Sequence, residues 1–177
     1  MTIHAESERE FLSSVLLGNQ PAVQFILQLF SLSQIMDDLI DQDKPRTSLD
    51  ILRSYHIALI ELPENNFYRA HFDYLRPQLA LVLQAYADSV ELEQGDAHHL
   101  HLAFVLRDRL TDIVTSCARL LGGWDHAQTV GKDIQLFFQD EPLSEFMAEK
   151  VQITQEPKTI NIGGTDYLFS LYSRVDP

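Results

Sequence analysis

The segment from Gln20 to Asp41 constrains the fold most strongly, because it is long, apolar and free of internal helix breakers. Its apolar residues lie nearly all the way round a helix: Val23, Phe25, Ile26, Leu27, Leu29, Phe30, Leu32, Ile35, Met36, Leu39 and Ile40. A helix that is apolar on every side is buried among other elements. We therefore predict a helix over residues 20–41 at the centre of a helical bundle.

Start and stop signals divide the rest of the chain into about six helices in all. Gly18, Gly95 and the pair Gly122-Gly123 end helices, and a break is expected at Leu62–Asn66. Ser48 and Asp96 are the expected N-caps, and Pro77 the expected site of a kink. The predicted helices cover residues 7–17, 20–41, 48–61, 67–92, 96–122 and 125–138, with a short one near 143–149.

The character of the chain changes after Pro142. β-Branched and aromatic residues at 158–162 and 166–172 flank the turn Gly163-Gly164-Thr165, which is typical of a β-hairpin. An isolated hairpin is only marginally stable, so this one needs the body or a partner to pack on. We predict a mainly α protein with a helical domain at 1–150 and a β-hairpin tail at 151–177, through which the chain binds a partner or assembles with itself.

Composition excludes several classes of function. The chain has 177 residues and a formal net charge of −13, so direct binding to a nucleic-acid polyanion is disfavoured. The acidic N-terminus is no secretory signal, and no apolar run is long enough to span a bilayer. A single cysteine, Cys117, excludes an intrachain disulfide and sits in an apolar run typical of a core. We therefore expect a cytoplasmic protein.

A cluster of aspartates ends the long apolar helix. Asp37 and Asp41 lie about 40° apart on the helix surface, one turn from each other, with Asp38 between them. Two carboxylates at this spacing repel unless something neutralises them, and Mg²⁺ binds through one or two carboxylates plus substrate phosphates. The alternative is a solvated helix end, although three acids there oppose the helix macrodipole.

Residues 25–41 resemble the first aspartate-rich helix of class I isoprenoid synthases, especially the squalene and phytoene synthase group. In that family an apolar helix ends in Asp-Asp-x-x-Asp. The resemblance implies that Asp37 and Asp41 are the principal ligands of a magnesium ion that holds a substrate diphosphate, and that Asp38 supports them.

Residues 106–112 resemble the second acidic helix of the same family, which carries Arg-Asp-x-x-x-Asp. The resemblance implies that Asp108 and Asp112 complete the metal site. It also implies that Arg107 or Arg109 meets the diphosphate oxygens. The second segment lies nearer to the first than in the family, and the chain is far shorter than a full synthase.

Two functions of different classes follow. The shortened motif, the acidic charge and the tail favour a non-enzymatic assembly or interaction protein built on an isoprenoid-synthase-like helical scaffold. The chain is also similar to small proteins of tailed phages and prophages, which implies a virion component or a protein of the host cytoplasm. The alternative is a magnesium-dependent enzyme or binding protein for an isoprenoid diphosphate.

Two histidine groups are weaker candidates. His98 and His101 share a helix face and could bind a metal with Asp96, but a solvated helix start explains them equally. His71 could act as a general base, but the surrounding residues also read as an aromatic core face.

Overall fold

The protein is mainly helical, as the sequence predicts. In this computed structural model the backbone is described for residues 2–41, 44–139, 141–155, 158–162 and 165–169, and the side chains for residues 7–41, 44–139 and 141–150. The helices are α1 (Thr2–Val15), α2 (Gln20–Asp41), α3 (Ser48–His56), α4 (Leu62–Glu64), α5 (Asn66–Ala70), α6 (Phe72–Leu92), α7 (Ala97–Arg107), α8 (Thr111–Phe138) and α9 (Leu143–Gln155). A π-helical turn, Ile57–Glu61, joins α3 to α4.

Helix α2 is the central element, and its bounds are those predicted. It packs against α1, α3, α5 and α8. Its start is well defined, because the Asn19 side chain accepts a hydrogen bond from the Ala22 N–H at 3.0 Å and Gly18 adopts a φ of 70° that ends the preceding helical segment. Five of its eleven predicted apolar residues are buried and four are partly buried, whereas Leu39 and Ile40 near its end are exposed, so the helix lies within the bundle over most of its length.

Helix α3 begins with a capping box on Thr47, not with Ser48 as predicted. The Thr47 hydroxyl accepts from the Asp50 N–H at 3.2 Å, and the Asp50 carboxylate accepts from the Thr47 N–H at 2.8 Å. The predicted break at Leu62–Asn66 is confirmed, but it falls at Asn65 and not at Pro63. The π-helical turn shifts the backbone pairing just before Pro63, which has no N–H to donate, and the chain stays helical until Asn65 leaves the helix with a ψ of 120°.

The segment 67–92 is a pair of helices that separate at His71, and no break occurs at Pro77. His71 has φ −119° and ψ 21°, which ends α5 and starts α6. Pro77 lies inside α6, in its second turn, where a proline removes one intrahelical hydrogen bond close to the helix start.

In the segment 97–138, the predicted cap at Asp96 and the predicted interruption at Gly123 are confirmed, whereas the predicted continuous helix over 96–122 is not. Asp96 caps α7 by accepting from the N–H groups of His98 and His99. Gly123 interrupts α8 with a φ of 76°. The predicted continuous helix from 96 to 122 is wrong, because the chain turns at residues 108–110, between α7 and α8.

The apolar side chains form two separate cores. The larger joins α1, α2, α5, α6 and α8 and contains Cys117, which is fully buried as predicted. Burial raises the pKa of the Cys117 thiol well above its usual range, so this cysteine is an inert core residue. The smaller core contains Leu100 and Ala103 of α7 and Phe146 of α9.

The C-terminal region is described by its backbone alone from residue 151 onwards. Helix α9 runs to Gln155, past the predicted end near residue 149 and past the predicted domain boundary at 150. Strands β1 (Lys158–Ile162) and β2 (Thr165–Phe169) pair antiparallel, with Ile160 opposite Tyr167. The turn residues 163 and 164, and residues 170–177, lie outside the described residues, as do the side chains of the tail. In the described part of the chain, no helix is long and apolar enough to cross a membrane.

Candidate functional site

A cavity of about 560 Å³ lies where α1, α2, α6, α7 and α8 meet. Its wall combines charged, polar and apolar side chains from all five helices and from the turn between α7 and α8: Glu8, Leu27, Phe30, Ser31, Ser33, Gln34, Asp37, Tyr86, Arg107, Asp108, Leu110, Thr111 and Phe138. The central helix α2 contributes nearly half of these residues. The cavity therefore depends on the face that α2 turns towards the ends of α6 and α7.

One part of the wall is polar and charged. The Tyr86 hydroxyl donates a hydrogen bond of 2.7 Å to the Asp37 carboxylate. Burial, followed by this hydrogen bond and the charge of Asp37, raises the pKa of Tyr86 far above its usual range, so the phenol stays protonated. Burial disfavours the charge on Arg107, but the carboxylates of Asp108, Glu93 and Asp37 outweigh it and raise the pKa of the guanidinium.

Another part of the wall is apolar. Leu27 and Phe30 come from α2, Leu110 from the turn before α8, and Phe138 from the end of α8. The rings of Phe30 and Phe138 meet edge to face, with 4.9 Å between their centroids. A ligand with a polar head and an apolar chain matches this division of the wall.

The structure brings three of the predicted site residues together at the cavity. Asp37 comes from α2, whereas Arg107 and Asp108 come from the end of α7 and the turn that follows it. These are one member of each predicted aspartate pair and one of the two predicted arginines. Residues separated by 70 positions in the chain thus share one wall.

Asp38 has a different environment from Asp37. Its side chain is only 3% exposed, and it accepts a hydrogen bond from the guanidinium of Arg46. Lys44 adds a second cation at 3.9 Å. Asp38 therefore ties the segment that follows α2 back onto the helix, and it does not line the cavity.

Asp41 and Asp112, the second members of the two pairs, also lie outside the cavity wall. Much of the Asp41 side chain is exposed. Partial burial of its carboxyl, followed by the charges of Asp37 and Glu93, raises its pKa. Asp112 accepts hydrogen bonds from Arg109 at 3.1 Å and from Gln135 at 3.4 Å. The turn at 108–110 separates Asp108 from Asp112, so the two do not share a helix face as the sequence suggested.

A metal ion at the cavity would need ligands from outside the protein. Among the residues whose side chains are described, no group of three His, Cys, Asp or Glu side chains is arranged to hold a metal. Asp37 and Asp108 are two carboxylates on one cavity wall, which fits a Mg²⁺ ion that also takes oxygens from a bound phosphate. With Glu8 added, the cavity has three carboxylates and one guanidinium, an arrangement that favours positive charge.

The histidine candidates lie outside the cavity wall. The ring of His99 lies 2.7 Å from the Asp96 carboxylate, so Asp96 serves the helix cap and its nearest histidine. His98 and His101 are exposed on the same helix. His71 packs against Phe67, with 4.7 Å between ring centroids, at the boundary of α5 and α6.

A row of exposed apolar side chains is a second candidate surface, one that the sequence analysis did not single out. Leu49, Leu52, Tyr55, Leu59 and Ile60, here called the α3 stripe, are between 45% and 74% exposed. Leu49, Leu52, Tyr55 and Leu59 follow each other along α3 and the π-helical turn at spacings of three and four residues, and so lie on one side of the helix. Ile60 is adjacent to Leu59 and widens the row at that end. This spacing is visible in the sequence, but spacing alone does not tell a buried face from an exposed one.

No protein-family model, curated protein or solved structure matches this chain. Its own fold and surfaces define it as a mainly helical, strongly acidic protein with a cavity that is part polar and part apolar and an exposed apolar stripe.

Proposed function

We propose that this chain is a non-enzymatic interaction and assembly protein that binds a protein partner through the α3 stripe. One observation carries the proposal: four large apolar side chains at helical spacing are exposed on one helix face, with Ile60 exposed beside them. Single exposed leucines are ordinary on protein surfaces. A continuous apolar row at helical spacing is the feature that a partner helix recognises.

The environment of the aspartates supports a role other than catalysis. Asp38 and Asp112 are engaged in ion pairs within the protein, with Arg46 and Arg109 respectively. Their charges stabilise local structure and are not directed at a substrate. We propose a place in a virion, or in the host cytoplasm before assembly, for such an interaction protein.

Photo-cross-linking in the expressing cell tests this proposal. A photoreactive phenylalanine analogue replaces Leu52 or Leu59 of the stripe, and Leu81 of α6 is the matched control because it is 67% exposed, like Leu59. We expect a discrete cross-linked species from positions 52 and 59 and none from position 81. Equal yields at all three positions would show that the stripe is not an interface.

A second candidate function is the binding of an isoprenoid diphosphate with magnesium. The observation that favours it is that Asp37, Arg107 and Asp108 line one cavity together with Leu27 and Phe138. The carboxylates would hold Mg²⁺, the ion and the guanidinium would bind the diphosphate, and the apolar wall would take the isoprenoid chain.

Isothermal titration with farnesyl diphosphate, with and without Mg²⁺, tests the second candidate. We expect binding that requires the metal and falls by about tenfold or more in Asp37→Asn and in Asp108→Asn. Asp112→Asn is the matched control, because Asp112 lies outside the cavity wall. Absence of binding by the unmodified protein, or equal effects of all three changes, would remove this candidate.

A further inference from the structure

We infer that the cavity is a binding site for a small organic cation, a primary amine whose ammonium group lies at Asp37 and whose apolar body lies along Leu27 and Phe30. The inference concerns a different surface from the α3 stripe, so it goes beyond the proposed interaction function. It also differs from the second candidate function, because the ligand itself supplies the positive charge and needs no magnesium ion.

Helix α2 gives the cavity its length and its direction. Leu27, Phe30, Gln34 and Asp37 all line the cavity, and they follow each other at spacings of three and four residues, so they share one side of the helix. At 1.5 Å per residue, Leu27 and Asp37 are about 15 Å apart along the helix axis. A ligand that contacts both ends of this wall is therefore elongated, with its charge at one end only.

The carboxylate end of the cavity can accept an ammonium group. Tyr86 donates a hydrogen bond of 2.7 Å to one oxygen of Asp37, which orients this carboxylate. A carboxylate offers about four lone-pair sites, so Asp37 can accept from a ligand as well. Asp108 contributes a second carboxylate to the same cavity. An ammonium group carries only donors, which suits a site made of two carboxylates.

The charge of the wall favours a cation over an anion. Three carboxylates and one guanidinium line the described wall, which leaves an excess of two negative charges. Burial opposes the charge of Arg107, yet the pKa of its guanidinium is raised. The carboxylates of Asp108, Glu93 and Asp37 contribute most to this rise. The protein thus already stabilises one partly buried cation here, and an ammonium group at Asp37 would be stabilised for the same reason.

The opposite end of the cavity suits an aromatic or aliphatic body. The rings of Phe30 and Phe138 meet edge to face there, beside Leu27 and Leu110. The cavity volume of about 560 Å³ lies within the range of small-molecule sites. It is large enough for a phenyl ring on a short alkyl chain, and burial of that ring against the leucines and phenylalanines would favour binding. Phenylbutylamine, with an ammonium group at one end and a phenyl ring at the other, is therefore a suitable probe.

Isothermal titration of the full chain with phenylbutylamine, in the presence of a chelator of divalent cations, tests the inference. We expect the amine to bind with a dissociation constant below about 1 mM. Phenylbutanol and phenylbutanoate keep the phenyl ring and the alkyl chain but lack the positive charge, so they should bind about tenfold more weakly or not at all. Absence of amine binding up to about 10 mM, or equal binding of the alcohol, overturns the inference.

Substitutions of single carboxylates locate the ammonium group. Asp37→Asn keeps an acceptor for Tyr86 but removes the negative charge, so we expect amine binding to weaken by about tenfold. Asp108→Asn should weaken it in the same direction. Asp112→Asn is the matched control, because Asp112 lies outside the cavity wall, and it should leave binding unchanged. Circular dichroism checks that each variant is folded, and equal losses of affinity in all three variants overturn the inference.

Two amines of different length test the direction of the ligand. Phe30 lies about 10 Å from Asp37 along the helix axis, at 1.5 Å per residue, so phenylbutylamine reaches it better than phenylethylamine does. Phe30→Leu should therefore weaken the longer amine more than the shorter one, whereas Asp37→Asn should weaken both by similar factors. Equal losses for both amines in Phe30→Leu overturn this placement. None of the described wall residues belongs to the α3 stripe, so failure of amine binding leaves the interaction proposal standing.

Discussion

Adjacent aspartates at the end of α2 have opposite environments. Asp37 faces the cavity and accepts a hydrogen bond from Tyr86, whereas Asp38, about 100° further round the helix, is buried against Arg46. Asp37 thus belongs to a candidate ligand site, whereas Asp38 holds Arg46 and the segment after α2 against the helix. The side chains contributed by other elements determine which role each carboxylate has.

The pair of Asp38 with Arg46 gives a test at the scale of one residue. Arg46→Ala leaves a carboxylate that is 3% exposed without its main partner, so we expect a loss of about 2–4 kcal/mol in the free energy of unfolding. Lys44→Ala is the control and should cost about 0.5 kcal/mol, because Lys44 is exposed and 3.9 Å away. Urea denaturation measures both, and equal costs would contradict the structural role of Asp38.

The carboxyl of Glu8 gives a test by pH. Burial raises its pKa above the ordinary value of 4.5, and Arg9 only partly offsets this. The folded state therefore binds more protons than the unfolded state between the two pKa values, and the contribution of Glu8 to stability falls as pH rises through the folded pKa. We expect Glu8→Gln to be more stable relative to the unmodified protein at about pH 7 than at about pH 4. Thermal denaturation at the two values measures this difference, and a difference that does not change with pH would contradict it.

At the scale of elements, the helices break where the backbone geometry requires it and not at every proline. Pro63 and Pro77 both lie within helices, near the start of a helical segment. The breaks occur instead at residues such as Asn65 and His71, at residues 108–110 and at Gly123. The break at 108–110 matters most for the candidate site, because Asp108 lines the cavity and Asp112 lies outside it.

Two glycines of α8 provide a matched pair of substitutions. Gly123 has a φ of 76°, so Gly123→Ala is strained, and we expect it to destabilise the protein by about 1–2 kcal/mol. Gly131 is helical, and an added methyl group would meet Thr115 at 3.8 Å, an ordinary contact. Gly131→Ala should therefore stabilise by about 0.5–1 kcal/mol. Chemical denaturation measures the free energy of unfolding of both variants. A change of the same sign in both would refute the break at Gly123.

At the scale of the whole molecule, the two cores divide the protein unequally. The large core holds α2 between its neighbours, whereas α9 is attached through the smaller core around Phe146. An ion pair of 2.7 Å between Lys150 and Glu93 adds to this attachment. Helix α9 precedes the strands of the tail in the chain. The packing of α9 on the smaller core therefore fixes the point from which the tail extends.

The small core predicts local opening of α9. Phe146 is fully buried, and Phe146→Ala removes a contact of the kind that contributes about 3–5 kcal/mol. We expect faster amide hydrogen exchange over residues 143–150 and unchanged exchange in α2. Leu143→Ala, which removes a side chain that is 37% exposed, is the control and should change little. Equal acceleration in α2 would show that the two cores unfold together.

Local features were predictable from the sequence by itself. The bounds of α2, the cap at Asp96 and the break at Gly123 all depend on residues that are close in the chain, and the burial of Cys117 was indicated by the apolar run around it. The helix N-cap at Thr47 was missed by one position, because Thr47 and Ser48 are both good capping residues and only the hydrogen bonds to Asp50 decide between them.

Tertiary structure alone decided which of the predicted site residues meet. Asp37, Arg107 and Asp108 share a cavity because the tertiary fold brings α2, the end of α7 and the turn after α7 to the same cavity wall, and no local pattern specifies that arrangement. The same holds for the α3 stripe. Its spacing is a property of the sequence, but its exposure depends on which face of α3 turns towards α2, and packing between distant segments determines that choice.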